Sequence, residues 1–446
     1  MVLEAALQSL AGIAVVLGVG LLVSLFAKKI KLASLLLLLI TGLVMNYLNS
    51  IGVVSFVFSE TLVVTIAMLA LVLVVFDGSS RFKMKMVSEY SGTSLKMFLS
   101  FLILSIVGVG IASSLLFFGK IDLNHFLLAS IFAITMAGTD PTSMFHILKN
   151  SSNRVIQLLE IESIVNTPFT IILPLMAIQI MANTQASISS VVLGQISPLI
   201  LQIAAGIGMG VLLGFLLSRI LHKFYSKEYS PILLIVFALA GYLLTESIGG
   251  SGVLGVATMG LFFGNMYINR KEDLQTFNQV LSTIFVILVF ILVGFVVPID
   301  LSILFIFKVV IVFLLSVFLR YISLTFVLPK GKFNNEEKIF MSLMIPKGIA
   351  VAVVVLSLAL ISFPGGEAAV SIIASAIVMS MILSLLVSTV LARFDGFFLK
   401  RVHNEEEKLE QEKAKLVKEK ALMERLMAKH KKEIEKKLKK TKKEKK

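Results

Sequence analysis

Read with a hydropathy window of about 19 residues, the chain resolves into apolar blocks separated by short polar stretches. The blocks lie near 5–27, 33–49, 60–76, 95–118, 124–146, 156–181, 194–218, 231–247, 252–268, 276–297, 301–326, 338–362 and 368–392. Each is long enough to cross a hydrocarbon layer as a helix, which predicts thirteen transmembrane helices. The thinnest separator is Gly249-Gly250-Ser251-Gly252. In two blocks a proline stands beside a charged residue well inside the apolar run: Gly138-Thr139-Asp140-Pro141 in the fifth and Ile345-Pro346-Lys347-Gly348 in the twelfth.

The basic residues between blocks alternate. Lys28, Lys29 and Lys31 follow the first span; Arg81, Lys83 and Lys85 the third; Lys149 and Arg154 the fifth. Lys223 and Lys227 follow the seventh, Arg270 and Lys271 the ninth, and Lys330, Lys332 and Lys338 the eleventh, whereas the other loops carry only Lys120. Positive charge marks the cytoplasmic side, so the expected topology is a multi-pass plasma-membrane protein with its N-terminus outside and its C-terminus inside. The start, Met1-Val2-Leu3-Glu4, lacks a basic segment and a small-residue cleavage site, so the first block is read as a retained span.

Composition narrows the class further. Hydrophobic residues make up 57% of the 446, above the range of soluble domains. The absence of cysteine excludes disulfides, thiolate chemistry and Cys-ligated metals. The net charge of +14 does not point to nucleic acid: residues 401–446 hold 18 of the 41 Lys and Arg and 10 of the 27 Asp and Glu, leaving 23 basic against 17 acidic residues in the first 400. Residues 1–395 are therefore read as the transmembrane domain and 396–446 as a charged, helical cytoplasmic tail, solvated or resting on anionic lipid. No nucleotide loop, Ser/His/Asp set or metal-ligand spacing appears, so neither an enzyme nor a cofactor is expected.

Acidic residues inside spans are costly and mark function by default. Asp140 stands beside Pro141, which removes a backbone donor and disrupts the helix; freed backbone near Thr139 can then face a cation. Glu162 and Asn166 are four residues apart on one helical face, with Ser163 and Thr167 in the adjacent stripe. These are hard oxygen donors suited to alkali cations, the only metals expected. For Glu162, direct ligation and a buried ion pair with Lys347 both stand open. Asp77, at the end of the third span, also fits a plain interfacial residue. Lys308 and Arg320 in the eleventh span fit snorkelling or pairing to a helix end. Counting spans one to six against eight to thirteen, with the seventh as connector, pairs the two broken spans at Pro141 and Pro346, the pattern of an inverted-repeat transporter with its site at the crossing.

Phe76-Asp77-Gly78, Thr139-Asp140-Pro141, Glu160-Ile161-Glu162-Ser163 with Asn166, Gly252-Val253-Leu254-Gly255 with Gly260 and Gly264, and Pro346-Lys347-Gly348 together resemble the sodium(potassium)/proton antiporters of the cation:proton antiporter superfamily, in the NhaP- and NHE-type branch. The resemblance covers roughly residues 10–395. It implies an all-α homodimer with inverted six-helix repeats, two crossing broken helices, and alternating access in which one cation exchanges for protons, sodium being preferred to potassium as cargo. By position it implies that Asp140, Thr139, Asp77, Ser163, Asn166 and Thr167 bind the ion or proton. It also implies that Glu162 pairs with a basic residue opposite, and that Pro141, Pro346 and Gly348 break the helices. Two positions depart from the pattern. The family's Asn-Asp pair is Asn166-Thr167 here, and Lys347 stands where this branch usually has Arg. Threonine coordinates but cannot titrate. Two alternatives to proton-coupled antiport therefore stand beside it: a cation transporter with weakened or absent proton coupling, and a non-transporting membrane sensor acting through its tail.

Overall fold

In a computed structural model, residues 2–30, 32–54, 56–140, 154–182, 188–268, 270–329, 331, 333–359, 367–394 and 398 are described. Pro141, His146 and Lys149 lie outside these, as does the tail from residue 399. The chain divides into two units, Met1–Arg393 and Phe394–Lys446; of the second, only Phe394 and Phe398 are among the described residues.

The first unit is all-helical among the described residues. Its elements are α1 (Val2–Ile30), α2 (Ser34–Ser50), α3 (Glu60–Ser80), α4 (Met84–Leu104), α5 (Gly110–Ser113), α6 (Leu123–Ala137), α7 (Arg154–Ala182) and α8 (Ile188–Lys223). There follow α9 (Tyr229–Ser247), α10 (Gly252–Asn265), α11 (Lys271–Val296), α12 (Ile303–Val327), α13 (Asn335–Leu343), α14 (Ile349–Ala359) and α15 (Glu367–Leu391). Helices are the natural outcome for such blocks, because hydrocarbon offers no partner for an unpaired N–H or C=O and a helix satisfies both internally. Among the described residues, nine helical stretches are long and apolar enough to cross a membrane, and four shorter apolar helices, α2, α6, α10 and α14, lie among them. The chain is a multi-pass membrane protein.

Local chemistry sets the helix ends. Ser59 caps α3, Asp122 caps α6, Ser251 caps α10 and Ser302 caps α12, each side chain accepting a hydrogen bond from an N–H of the first turn. Asn334 and Glu337 form a reciprocal capping box at α13. The run from α4 to α5 continues through two π-helical turns, Ser105–Val109 and Ser114–Phe118, and the hydroxyl of Ser105 in the first donates to the carbonyl of Ala133 on α6 at 2.8 Å.

The helices pack in two groups. The pair α8 and α10, and α2, α3 and α11, lie against one another; so do α4, α6, α7 and α12. Between apolar helices in lipid, association depends on close backbone approach at small residues. Gly42 on α2 shows this, since a Cβ there would overlap the main chain of Ile291 and Gly294 on α11. The short helix α14 touches both groups, packing on α3 and α11 on one side and on α7 and α15 on the other. Its N-terminus is where the two breaks meet.

Candidate functional site

Helix α6 ends at Ala137, and Gly138 is extended. The twelfth block is likewise two helices, α13 and α14, with Met344–Gly348 non-helical between them. These interruptions cross each other. The main-chain N–H of Asp140 donates to the carbonyl of Pro346 at 3.1 Å. The ammonium of Lys347 reaches back in the other direction and donates to the carbonyls of Met136 and Gly138, both at 2.6 Å.

Each charge at the crossing therefore meets the helix end that favours it. The last carbonyls of a helix lack intrahelical partners and carry partial negative charge, and Lys347 supplies the cation that α6 requires there. Asp140 faces the start of α14. A Cβ on Gly348 would overlap the Asp140 carboxyl group, so the carboxyl lies directly on the backbone that leads into that helix, where the dipole favours a negative charge. Only glycine leaves room for this contact. Gly348→Ala is expected to destabilise the fold by about 1–3 kcal/mol, the usual range for overpacking. A thermal melt in detergent checks it; an unchanged midpoint would show that the carboxyl can step aside freely.

Helix α7 supplies the third wall. Asn166 is fully buried and its side-chain N–H donates to the hydroxyl of Thr139 at 2.7 Å. The other end of the amide, Oδ1, is buried without a hydrogen-bond partner. A buried carbonyl oxygen of this kind is costly unless something satisfies it. On the same helix the hydroxyl of Thr167 donates to Ser163 O at 2.6 Å, that of Thr170 to Asn166 O at 2.9 Å, and that of Ser163 to Glu160 O at 2.7 Å. These hydroxyls spend their protons on the backbone and keep oxygen lone pairs to offer. Asp140, Thr139, Asn166 and Thr167 are all buried, Thr139 and Asn166 are in direct contact, and their hard oxygens are of the type that suits an alkali cation.

The expected pairing of Glu162 with Lys347 is not what forms. Glu162 Oε2 accepts from Arg320 Nη2 at 2.7 Å, and both side chains are 1% exposed. Arg320 Nε also donates to Met341 O at 3.1 Å, and its guanidinium lies 5.2 Å from the ring centre of Phe101. One side chain thus ties α4, α7, α12 and α13 together. Snorkelling is excluded for Arg320. The physical reason for the exchange of partners is geometric: a guanidinium fork serves a carboxylate, a carbonyl and an aromatic face at once, whereas the compact ammonium of Lys347 is held by the unpaired carbonyls of α6. The pairing to a helix end expected for Arg320 is present in its bond to Met341 O, in the last turn of α13; what sequence reasoning missed is its ion pair with Glu162, for which an arginine in an apolar block of a chain with a buried glutamate was the available signal.

Asp77 is buried but stands apart from this set. Its two oxygens accept from Arg81 Nη2 at 3.0 and 2.8 Å, and no hydrogen bond among the described residues joins it to Thr139 or Asn166. Pro141 lies outside the described residues. Asn166 meets Thr139 and Asp140 meets Pro346 and Gly348, whereas the hydroxyls of Ser163 and Thr167 bond to the backbone of their own helix.

Comparisons with known proteins bear on the family and the fold. A family model described as "Sodium/hydrogen exchanger, transmembrane" matches residues 13–393. The low-affinity Na+/H+ antiporter NhaS1 of Synechocystis is 31% identical over 159 residues, 35% of this chain and 29% of that protein. The K+/H+ antiporter NhaP2 of Shewanella is 26% identical over 362 residues, 79% of this chain and 61% of that protein. The chain thus spans less than two thirds of the length of either curated relative. The solved structure of the sodium proton antiporter MjNhaP1 from Methanocaldococcus jannaschii superposes with a TM-score of 0.72 at 19% identity, covering 89% of this chain and 99% of that one, so the two share a fold.

Proposed function

The chain belongs to the sodium/hydrogen exchanger transmembrane family, and from that premise we propose that it is a secondary transporter exchanging sodium or potassium for protons. The observation that carries the reading is the placement of Asp140 at the crossing of the two breaks, on the backbone of Gly348 and beside the Thr139 and Asn166 pair. Ionised Asp140 binds a dehydrated cation together with the oxygens of Thr139, Asn166 and Thr167. Protonated Asp140 loses its charge and releases it. Because one carboxylate hosts either cargo, occupancy by one excludes the other, and exchange follows when the site opens alternately to the two sides. Glu162 and Arg320 hold the scaffold, and Lys347 keeps the crossing charge-balanced.

With Thr167 in the place of a second acid, the oxygen set contains one titratable carboxylate, which supports exchange of one cation for one proton. The protein works as a homodimer in the plasma membrane, with its basic loops and tail on the cytoplasmic side and its two six-helix halves related as inverted repeats. The test is a pH gradient across reconstituted vesicles. Sodium or potassium, but not choline, is expected to collapse it, and no response to either alkali cation would overturn the reading. In the same vesicles Thr167→Asp is expected to lower the cation concentration for half-maximal exchange by about tenfold, the effect of roughly 1.4 kcal/mol of added binding. An unchanged concentration would mean that Thr167 does not face the ion.

A further inference from the structure

The Glu162 and Arg320 pair and the Asn166 contact with Thr139 stand one turn apart on α7, and each leaves polar atoms unused. Glu162 accepts from Arg320 Nη2 through Oε2, at 2.7 Å; its other oxygen, Oε1, is buried without a hydrogen-bond partner among the described residues. Arg320 gives Nη2 to Glu162 and Nε to Met341 O, while its Nη1 is likewise buried and unpartnered. Asn166 gives its amide nitrogen to Thr139 and keeps Oδ1 without a partner. None of these side chains is more than 1% exposed, so bulk solvent does not serve them.

The unused atoms are neighbours. Residues four apart on a helix hold their Cβ atoms about 5–6 Å from each other, which places Glu162 and Asn166 on one face of α7. Nη1 shares a guanidinium carbon with the nitrogen that Glu162 already holds. Buried polar atoms are as a rule satisfied by protein or by ordered water, and the chemistry of these atoms says by what. A carboxylate oxygen and an amide oxygen need donors, and a cationic nitrogen needs an acceptor. An alkali cation would answer the oxygens but meet the positive guanidinium; an anion would answer the guanidinium but meet the carboxylate. Water is neutral and carries both protons and lone pairs. It can donate to Glu162 Oε1 and to Asn166 Oδ1 while accepting from Arg320 Nη1, about three hydrogen bonds being the usual number for a water sealed inside a protein.

We propose that a single buried water bridges Glu162, Arg320 and Asn166, and that it couples the ion pair to the cation site. The water follows from the geometry; its effect on cation affinity rests on the transport reading above and deepens it. A side-chain amide turned end for end has nearly the same shape, so packing alone does not choose which end of Asn166 meets Thr139. The water makes that choice. With Oδ1 held by a donor, the amide nitrogen is the end left to face the Thr139 hydroxyl, as the 2.7 Å contact requires. Glu162 and Arg320 are thereby positioning residues: they act on Thr139 through the water and Asn166, without touching the cation.

The first test is a cryo-EM map of the full chain in lipid nanodiscs, at a resolution that shows interior waters, in sodium, potassium and choline chloride. A peak within hydrogen-bond reach of Glu162 Oε1, Asn166 Oδ1 and Arg320 Nη1 is expected in every salt. A peak seen only with sodium or potassium would be a bound cation, and no peak where other interior waters are visible would leave the atoms dry; either result overturns the proposal. The second test is exchange in vesicles, read only from variants that melt as folded proteins in detergent. Replacing Glu162 and Arg320 together by methionine removes the water's anchors on the ion pair. It is expected to raise the cation concentration for half-maximal exchange about three- to tenfold, the range for one hydrogen bond. Asn166→Ala should raise it by at least as much, and all the substitutions combined should raise it no further than Asn166→Ala alone, because the pair acts through that amide. Effects that multiply, or a folded methionine pair with the parent's half-maximal concentration, overturn the coupling. If the parent itself shows no exchange, the transport reading fails, and the map still decides whether the water is there.

Discussion

Arg320→Leu is expected to destabilise the folded protein by about 3–5 kcal/mol, the cost of leaving one member of a buried ion pair without the other. Glu162 has no route to solvent, since it and Arg320 are both 1% exposed, so the carboxylate left behind must either remain as an uncompensated charge or take up a proton. The loss is larger than for an ordinary pair because Arg320 Nε also holds Met341 O and the guanidinium covers the Phe101 ring; α13 is released from α12 at the same stroke. Replacing Glu162 and Arg320 together by methionine should recover most of the deficit, since well-packed apolar substitutes for a buried pair are often neutral or stabilising. Melting in detergent checks both variants. A single Arg320 variant that melts with the parent would mean that the pair is solvated and that the four helices are held by packing alone.

The spans are legible in the sequence because a bilayer imposes one length on every crossing element, and a run of apolar residues of that length has few other uses. The breaks are legible for a related reason. Proline removes a donor wherever it stands and the residue before it disfavours the helical region, yet Pro168 and Pro174 lie inside α7; what singles out the Asp140-Pro141 step is the acidic residue beside the proline. Helix α6 indeed gives way at Gly138, ahead of that proline. The gathering of Ser163, Asn166 and Thr167 follows from helical spacing alone. Pairings across long sequence separations are not legible. Glu162 has two buried cations to choose from, 158 residues away in Arg320 and further on in Lys347, and composition contains no distances. What decides between them is the demand of α6 for a positive charge at its C-terminal end, a property of the folded crossing rather than of either residue. The Asp77 and Arg81 pair is within reach of sequence reasoning, being four apart on one helix. Hydropathy hides it, because the apolar run of the third span stops at residue 76, before α3 has completed its last turn at Ser80.

Asp140→Asn is expected to abolish cation-dependent proton flux, by at least about a hundredfold, while leaving the protein folded. The substitution keeps the shape that fits against Gly348 and the main-chain bond to Pro346 O, and removes only the charge and the titration. Each loss is sufficient. An amide cannot bind and release a proton at any pH of interest, so the variant has no way to make cation binding and proton binding exclusive. It also offers an alkali cation a neutral oxygen where a carboxylate stood, and in a buried, low-dielectric setting that difference is large. The same burial predicts that the variant melts at or above the parent's midpoint in cation-free buffer, because an ionised carboxylate inside a membrane protein is held at a cost that function alone justifies. Adding sodium or potassium at about ten times the dissociation constant should stabilise the parent by roughly 1.4 kcal/mol and the variant not at all. Flux lost together with stability would indicate misfolding and say nothing about the site. Flux retained in a stable variant would move the titrating group away from Asp140, and with it the reason for the crossing of the two breaks.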